Sequence, residues 1–217
     1  MEGRIEVTDL TLSYRWKQFE KIIFKNLNLS IDTGAFLTVI GRNGSGKSSL
    51  IKLILGLIEP EKGSVKINGK SVKPGYPDGV RQGHIAYLSQ QIEELFYADT
   101  VREELSYGQS FQVNEYQEIL ENLELADLLE RSIETLSGGE RQALALAQFM
   151  SQPAPILLLD EPSSYLDRHR SIILRQYLDG MHACGKTILH ITQYPSELSW
   201  GTHVLDLDTS SPSVATV

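Results

Sequence analysis

The stretch TVIGRNGSGKSSLIKLILG, residues 38–56, decides the fold. It begins inside FLTVI (36–40), a continuous apolar run suited to a strand buried on both faces. Gly41 to Ser48 then fits G-x-x-x-x-G-K-[ST], and apolar residues at helical spacing follow. Each residue type has a physical reason. Gly41, Gly44 and Gly46 let the backbone turn tightly, so that successive N–H groups point inward at phosphate oxygens. The helix that follows adds its positive N-terminal end. Lys47 brings a full charge to the β- and γ-phosphates, and Ser48 offers a hydroxyl to Mg²⁺. Arg42, Asn43, Ser45 and Ser49 complete the loop and the first helical turn and are assigned with them to nucleotide binding. A glycine-rich structural turn is the plain alternative. The lysine, the serine, the strand and the helix together set it aside.

A magnesium-bound nucleotide needs a second anchor, and PILLLDEP (155–162) supplies it. Asp160 ends a buried apolar run, which places it in the crevice where α/β sheets hold ligands. It is expected to hold Mg²⁺ through water. Glu161, one residue on, can face the terminal phosphate and polarise an attacking water. Alone, an Asp-Glu-Pro triplet reads as a simple turn or helix start; after a phosphate loop at this distance that reading is set aside.

Composition agrees. The 217 residues are 41% apolar and suffice for one large domain or two small lobes. The net charge of −8 argues against broad binding to nucleic acid or anionic membranes. One cysteine, Cys184, permits no internal disulfide; it fits a reducing compartment and is expected to be a buried helix residue. The start MEGRIEVTDL is no secretory signal. No apolar run approaches the roughly 18 residues of a membrane-spanning helix, so the chain alone is expected to be soluble.

Along the chain, IEVTDLTLSY (5–14) and LNLSI (27–31) alternate as half-buried strands, and Asn68-Gly69 marks a hairpin turn. The front third thus predicts a small antiparallel sheet around FLTVI. Thr100 and Glu103 form a capping box, and residues from about 92 to 151 read as helical. PILLLD, RHRSIILRQYLDGMHA, KTILHIT and HVLDLD then restore strand and helix alternation: a parallel α/β core interrupted by a helical insertion.

LSGGERQ (136–142) carries a further signal. Ser137 and Glu140 make a capping box. Capping does not explain Gly138 and Gly139 in a first helical turn, where each glycine costs roughly 1 kcal/mol against alanine. They make sense if a ligand approaches the backbone, since a bare helix start is an anion site. In this order, GRNGSGKS, LSGGE, ILLLDEP and SSYLD resemble the ATP-binding cassette (ABC) ATPases, over about residues 4 to 208. The resemblance implies a P-loop NTPase (RecA-like) parallel core, residues 1–91 and 152–217, with an N-terminal antiparallel β subdomain and an inserted α-helical subdomain, 92–151. It implies ATP with Mg²⁺, bound between two cassettes packed head to tail. Ser137, Gly138, Gly139 and Glu140 of one cassette then face the γ-phosphate held by the other. It also implies adenine stacking by Tyr14, with Trp16 as runner-up, sensing of Mg²⁺ and of a membrane partner by Gln90 in YLSQ, and coupling of the two sites by Asp167.

Two departures stand out. Glutamine is usual where Glu140 stands; folded back on the N-cap amide it would spare the anion site, and pointing outward it would repel phosphate. In ILHITQYPSEL (188–198) the family's γ-phosphate histidine is replaced by Gln193. His190, inside the apolar run, is the lesser candidate, because ligands gather at strand ends. Glutamine can donate an N–H but cannot carry a proton's charge near neutral pH. Lys47, Glu161 and Gln193 are therefore the catalytic set, with slower hydrolysis than a histidine would give.

The work driven is either membrane transport or a soluble ABC function in DNA repair, chromosome handling or translation. About 90 residues separate Lys47 from Ser137, leaving no room for a long coiled coil, and there is one cassette with no cysteine cluster. Transport is preferred, with separate transmembrane permease subunits, a second cassette that is either a copy or a paralogue, no nucleic acid, and a place on the cytoplasmic face of the cell membrane. LFYADTVREELSYG (95–108) looks like the cobalt and energy-coupling-factor ATPases, although the chain lacks the carboxyl-terminal extension many of those have.

Overall fold

The computed structural model describes all residues except 1, 18, 76–82, 91–95, 107–112, 210–213 and 217. In chain order the strands are β1 (Ile5–Trp16), β2 (Phe19–Ile31), β3 (Phe36–Ile40), β4 (Lys62–Ile67), β5 (Lys70–Ser71), β6 (Ile85–Leu88), β7 (Ile156–Asp160), β8 (Thr187–Ile191), β9 (His203–Asp206) and β10 (Val214–Thr216). The α-helices are α1 (Lys47–Ile54), α2 (Val101–Leu105), α3 (Val113–Asn122), α4 (Gly138–Met150) and α5 (Arg168–Ala183).

Two sheets form. One is antiparallel, in the order β2-β1-β4-β5. Its β1 buries Ile5, Val7, Leu10 and Leu12, alternating as predicted except between Val7 and Leu10, where the register shifts at Asp9, which has φ 46°. Asn68 and Gly69 both take positive φ, 52° and 76°, the geometry of a two-residue hairpin turn between β4 and β5. The second sheet has the order β10-β9-β3-β8-β7-β6, parallel from β9 to β6. β3 therefore pairs with β9 and β8, not with the antiparallel strands that surround it in sequence. The edge strands β6 and β10 were not anticipated: β6 is only four residues long and β10 only three.

Every residue of β7 and β8 is buried, as continuous apolar runs require of strands covered on both faces. Period two sorts them. Ile156, Leu158, Leu189 and Ile191 join a core with α1 and the antiparallel sheet. Leu157, Leu159 and Ile188 join a core with α4 and α5 on the other face. His190 is on the latter face by the same alternation, in register with Thr38 of β3 and Leu159 of β7.

Helices α2, α3 and α4 fall between β6 and β7, inside the stretch predicted as helical. The expected boundary at 91/92 lies outside the described residues. The Thr100–Glu103 capping box is present. Cys184 corrects an expectation: it is exposed, because α5 stops there and Gly185 turns the chain at φ 79°.

Candidate nucleotide site

Parallel strands deliver their carboxyl ends to one edge of the sheet. The phosphate loop follows β3, Gln90 follows β6, Asp160 and Glu161 end β7, and Gln193 follows β8. A crevice of about 400 Å³ opens there. Its floor is the loop and first helical turn: Asn43, Gly44, Gly46, Lys47, Ser48 and Ser49. Gln90, Glu161 and Gln193 complete the lining.

Gly46 caps α1 at φ 107°. A Cβ there would sit 2.5 Å from Ile23 and 2.8 Å from the Phe24 ring, both on β2, so glycine is required by backbone angle and by packing alike. Lys47 is 5% exposed, and its ammonium donates to the carbonyls of Gly41 (2.7 Å) and Arg42 (3.3 Å). It lies 3.6 Å from Glu161 Oε1. The other oxygen of Glu161 accepts from Gln90 Nε2 at 3.3 Å. Glu161 has φ 50° and ψ 48°, a left-handed backbone that costs a non-glycine residue about 1–2 kcal/mol. Its N–H donates to Ile191 O on β8, which holds the turn against that cost. Strain of this kind gathers at functional sites.

Asp160 is 4% exposed. Burial pushes its carboxyl up from the ordinary range, and a hydrogen bond from Ser48 opposes the shift. Oδ1 has no hydrogen-bond partner among the described residues. An orphaned buried carboxylate oxygen beside a serine hydroxyl suits a hard cation. Among the described residues no three His, Cys, Asp or Glu side chains cluster to hold a metal alone, so such a cation would need further oxygens from substrate and water.

The other predicted residues stand apart from this lining. Arg42 points its N–H at Asp208 Oδ2 (2.9 Å), not into the crevice. Tyr14 is half-exposed on β1, its hydroxyl 3.1 Å from Ser49 Oγ. Trp16 is further out on the same strand and more exposed. Ser137 caps α4, and Glu140 folds back: its Oε2 accepts from Ser137 N (2.6 Å), and Arg131 bonds Oε1 (3.1 Å). Those bonds, the Ser137 amide foremost, hold the Glu140 carboxyl below its ordinary value. The open alternative is thus decided for the neutralised arrangement. Asp167 caps α5 by accepting from Arg170 N (2.8 Å). Arg170 Nη1 also reaches Asp167 (3.0 Å) and lies 3.3 Å from where a Cβ on Gly139 would be, so the second glycine makes room for that guanidinium.

Sequence reading missed three supports. Lys21 of β2 donates to Gly44 O (2.9 Å), and Asp208 accepts from the loop as described. Nothing local signals either. Glu104 is fully buried and accepts from Tyr97 N, Ala98 N and Gln148 Nε2. Its place three residues after buried Val101 was the available sign.

Residues 24–164 match the family model described as ABC transporter. The chain belongs to the ABC transporter family. It is an ATP-binding cassette of that family, an ATPase. It is 32% identical over 210 residues to the energy-coupling factor transporter ATP-binding protein EcfA1 of Fusobacterium nucleatum, covering 94% of this cassette and 78% of that protein. It is 30% identical to EcfA2 of Acetivibrio thermocellus, covering 89% and 72%. The dimeric structure of a bacterial ABC transporter cassette superposes with a TM-score of 0.80 at 26% identity, covering 93% of both chains.

Proposed function

We propose that this cassette hydrolyses ATP as the peripheral energising subunit of an energy-coupling-factor-like transporter, with its nucleotide held between two facing cassettes. The observation that carries this is the split of the machinery. Lys47, Ser48, Glu161 and Gln193 line one crevice with Asp160 beside Ser48, while the exposed Ser137–Gly138 start of α4 is not part of that lining. The likeness to a dimeric cassette at 26% identity supports the pairing. The likeness to both EcfA1 and EcfA2 supports the transporter class and leaves a copy or a paralogue as partner.

In this reading the phosphate-loop amides and Lys47 bind the β- and γ-phosphates. Tyr14 lies along the adenine, with Ser49 beside its hydroxyl. Ser48 and Asp160 would hold Mg²⁺, with Gln90 near it; when bound, the ion neutralises charge on the phosphate oxygens. Glu161, fixed by Gln90 and Lys47, orients the attacking water and takes its proton. Gln193 donates an N–H to the γ-phosphate. The partner's Ser137 hydroxyl and Gly138–Gly139 amides close over the same phosphate. The helical lobe, chiefly residues 90–108 and anchored by Glu104, would receive the permease; 91–95 and 107–108 of that stretch lie outside the described residues. Among the described residues no helix is long and apolar enough to cross a membrane, so separate membrane subunits would hold the cassette on the cytoplasmic face.

The test is a pull-down from detergent-solubilised membranes, followed by phosphate-release assays of the captured complex with and without Glu161→Gln. Recovery of membrane subunits and an ATPase silenced by Glu161→Gln is expected. Capture of DNA or ribosomes in their place overturns the transport reading.

A further inference from the structure

A second polar cluster sits behind the crevice. Glu197, in the short helical turn Pro195–Trp200 after β8, is only 7% exposed. Its Oε2 accepts from Thr192 Oγ1 at 2.6 Å. Thr192 Oγ1 in turn accepts from Tyr194 N at 3.0 Å. The residues on either side of Gln193 are therefore held to one carboxylate. His190 Nε2 lies 3.4 Å from the same Oε2, and its ring stacks on Trp200 at 4.9 Å with a 12° interplanar angle. Ser163, two residues after Glu161, also approaches the carboxylate. Neither it nor His190 meets ideal hydrogen-bond geometry. Burial, the largest influence, pushes the Glu197 carboxyl up, yet His190, Ser163 and Thr192 together hold it below its ordinary value. The buried anion is thus compensated on three sides.

We infer that Glu197 is a positioning residue for hydrolysis: its carboxylate pins Thr192, the residue before Gln193, to the Pro195–Trp200 turn, and His190 braces it from β8. The inference rests on the proposed ATPase reading. Gln193 is exposed on a turn and has no side-chain hydrogen bond to the described residues, so in the proposed reading its place over the phosphate depends on its neighbours. Thr192 is fixed twice, by its N–H to Val39 O (3.1 Å) and by its hydroxyl to Glu197. Glu161 is fixed from the other side by Ile191 O. Glu161 and Thr192 are thus both held at the end of β8, and Glu197 acts on Gln193 through Thr192. The arrangement also accounts for His190, an imidazole in an otherwise apolar strand that the crevice does not use.

The experiment compares kcat and the KM for ATP in the assembled complex for wild type, Glu197→Gln, Thr192→Val and Gln193→Ala, and for each of the first two changes combined with Gln193→Ala. Glu197→Gln is expected to lower kcat about tenfold or more, since misplacement of about 1 Å can cost a hundredfold. The KM is expected to stay within about twofold, the signature of an interaction used in the transition state. Thr192→Val follows in the same direction and serves if Glu197→Gln does not fold. In the Gln193→Ala background both losses shrink, because residues that act through Gln193 are not additive with its removal. Full additivity with Gln193→Ala, or a parallel fall in ATP affinity and thermal stability with kcat spared, overturns the positioning role. A wild-type complex that releases no phosphate overturns the ATPase reading itself, so the two failures are told apart.

Discussion

Lys47, Asp160 and Glu161 are each less than one-tenth exposed, whereas Ser137 and Gly138 are open to solvent at the tip of α4. The first group is made by strand ends and paid in burial: a raised Asp160, an ion pair, and a left-handed glutamate. The second is made by a helix start whose own side chains satisfy only part of its amides. Glu140 takes the Ser137 N–H and Ser137 Oγ takes the Glu140 N–H, which leaves Gly138 and Gly139 as donors with no side chain in front of them. In the proposed reading, this difference means that one half of the site is finished within the chain and the other half would be finished against a second cassette.

The largest expected effect breaks the finished half. Lys47→Ala leaves the buried Glu161 carboxylate without its cation, a loss of about 2–5 kcal/mol for a charge pair of this kind. ATP affinity by fluorescent-nucleotide titration should fall about a hundredfold or more. Next comes the open half. Ser137→Ala removes an N-cap worth about 1 kcal/mol of helix stability. It should leave ATP affinity of the separated cassette within about twofold while hydrolysis by the pair falls tenfold or more, the pattern of a group used only after closure. Equal loss of both would erase the distinction.

A smaller change sharpens it. Gln193→His should raise turnover a few-fold, well below the roughly 10²–10⁴-fold a general acid–base group can supply, because Gln193 already donates an N–H. Unchanged or lower turnover would count against Gln193 as a γ-phosphate ligand. The smallest is acid titration of the exposed caps. Glu140 and Asp167 sit below their ordinary 4.5 and 3.8, so the stability they lend is complete above those values and is lost as pH falls through the lower folded ones. Melting temperature measured from pH 6 downward should drop below about pH 4.5, and Glu140→Gln should flatten that slope. An unchanged slope would show that the capping box contributes nothing there.

What could be read beforehand follows the same divide. The loop at 41–48, the acid pair at 160–161 and the capping boxes at Thr100 and Ser137 are local patterns, each fixed by residues within one turn or strand end. Gln193 was legible because it stands just past an apolar run. The rest depends on register between distant segments. Lys21 meets Gly44 only because the β1–β2 ribbon folds over the loop. Glu197 meets Thr192 and His190 within one short stretch, but Ser163 approaches it only because β7 and β8 are adjacent. β3 joins the parallel sheet although its sequence neighbours are antiparallel. Cys184 misled because an apolar reading ignored the glycine that ends its helix. The inward turn of Glu140 follows from the Ser137 capping box, and the added bond from Arg131 depends on the distant chain.

The claim that the site is shared between two cassettes is tested most directly by sedimentation velocity of the Glu161→Gln protein with excess Mg-ATP and its co-purified partner cassette. Two closed cassettes sedimenting together, and separating when nucleotide is removed, is the result this account predicts. A species that remains a single cassette at saturating nucleotide would contradict it.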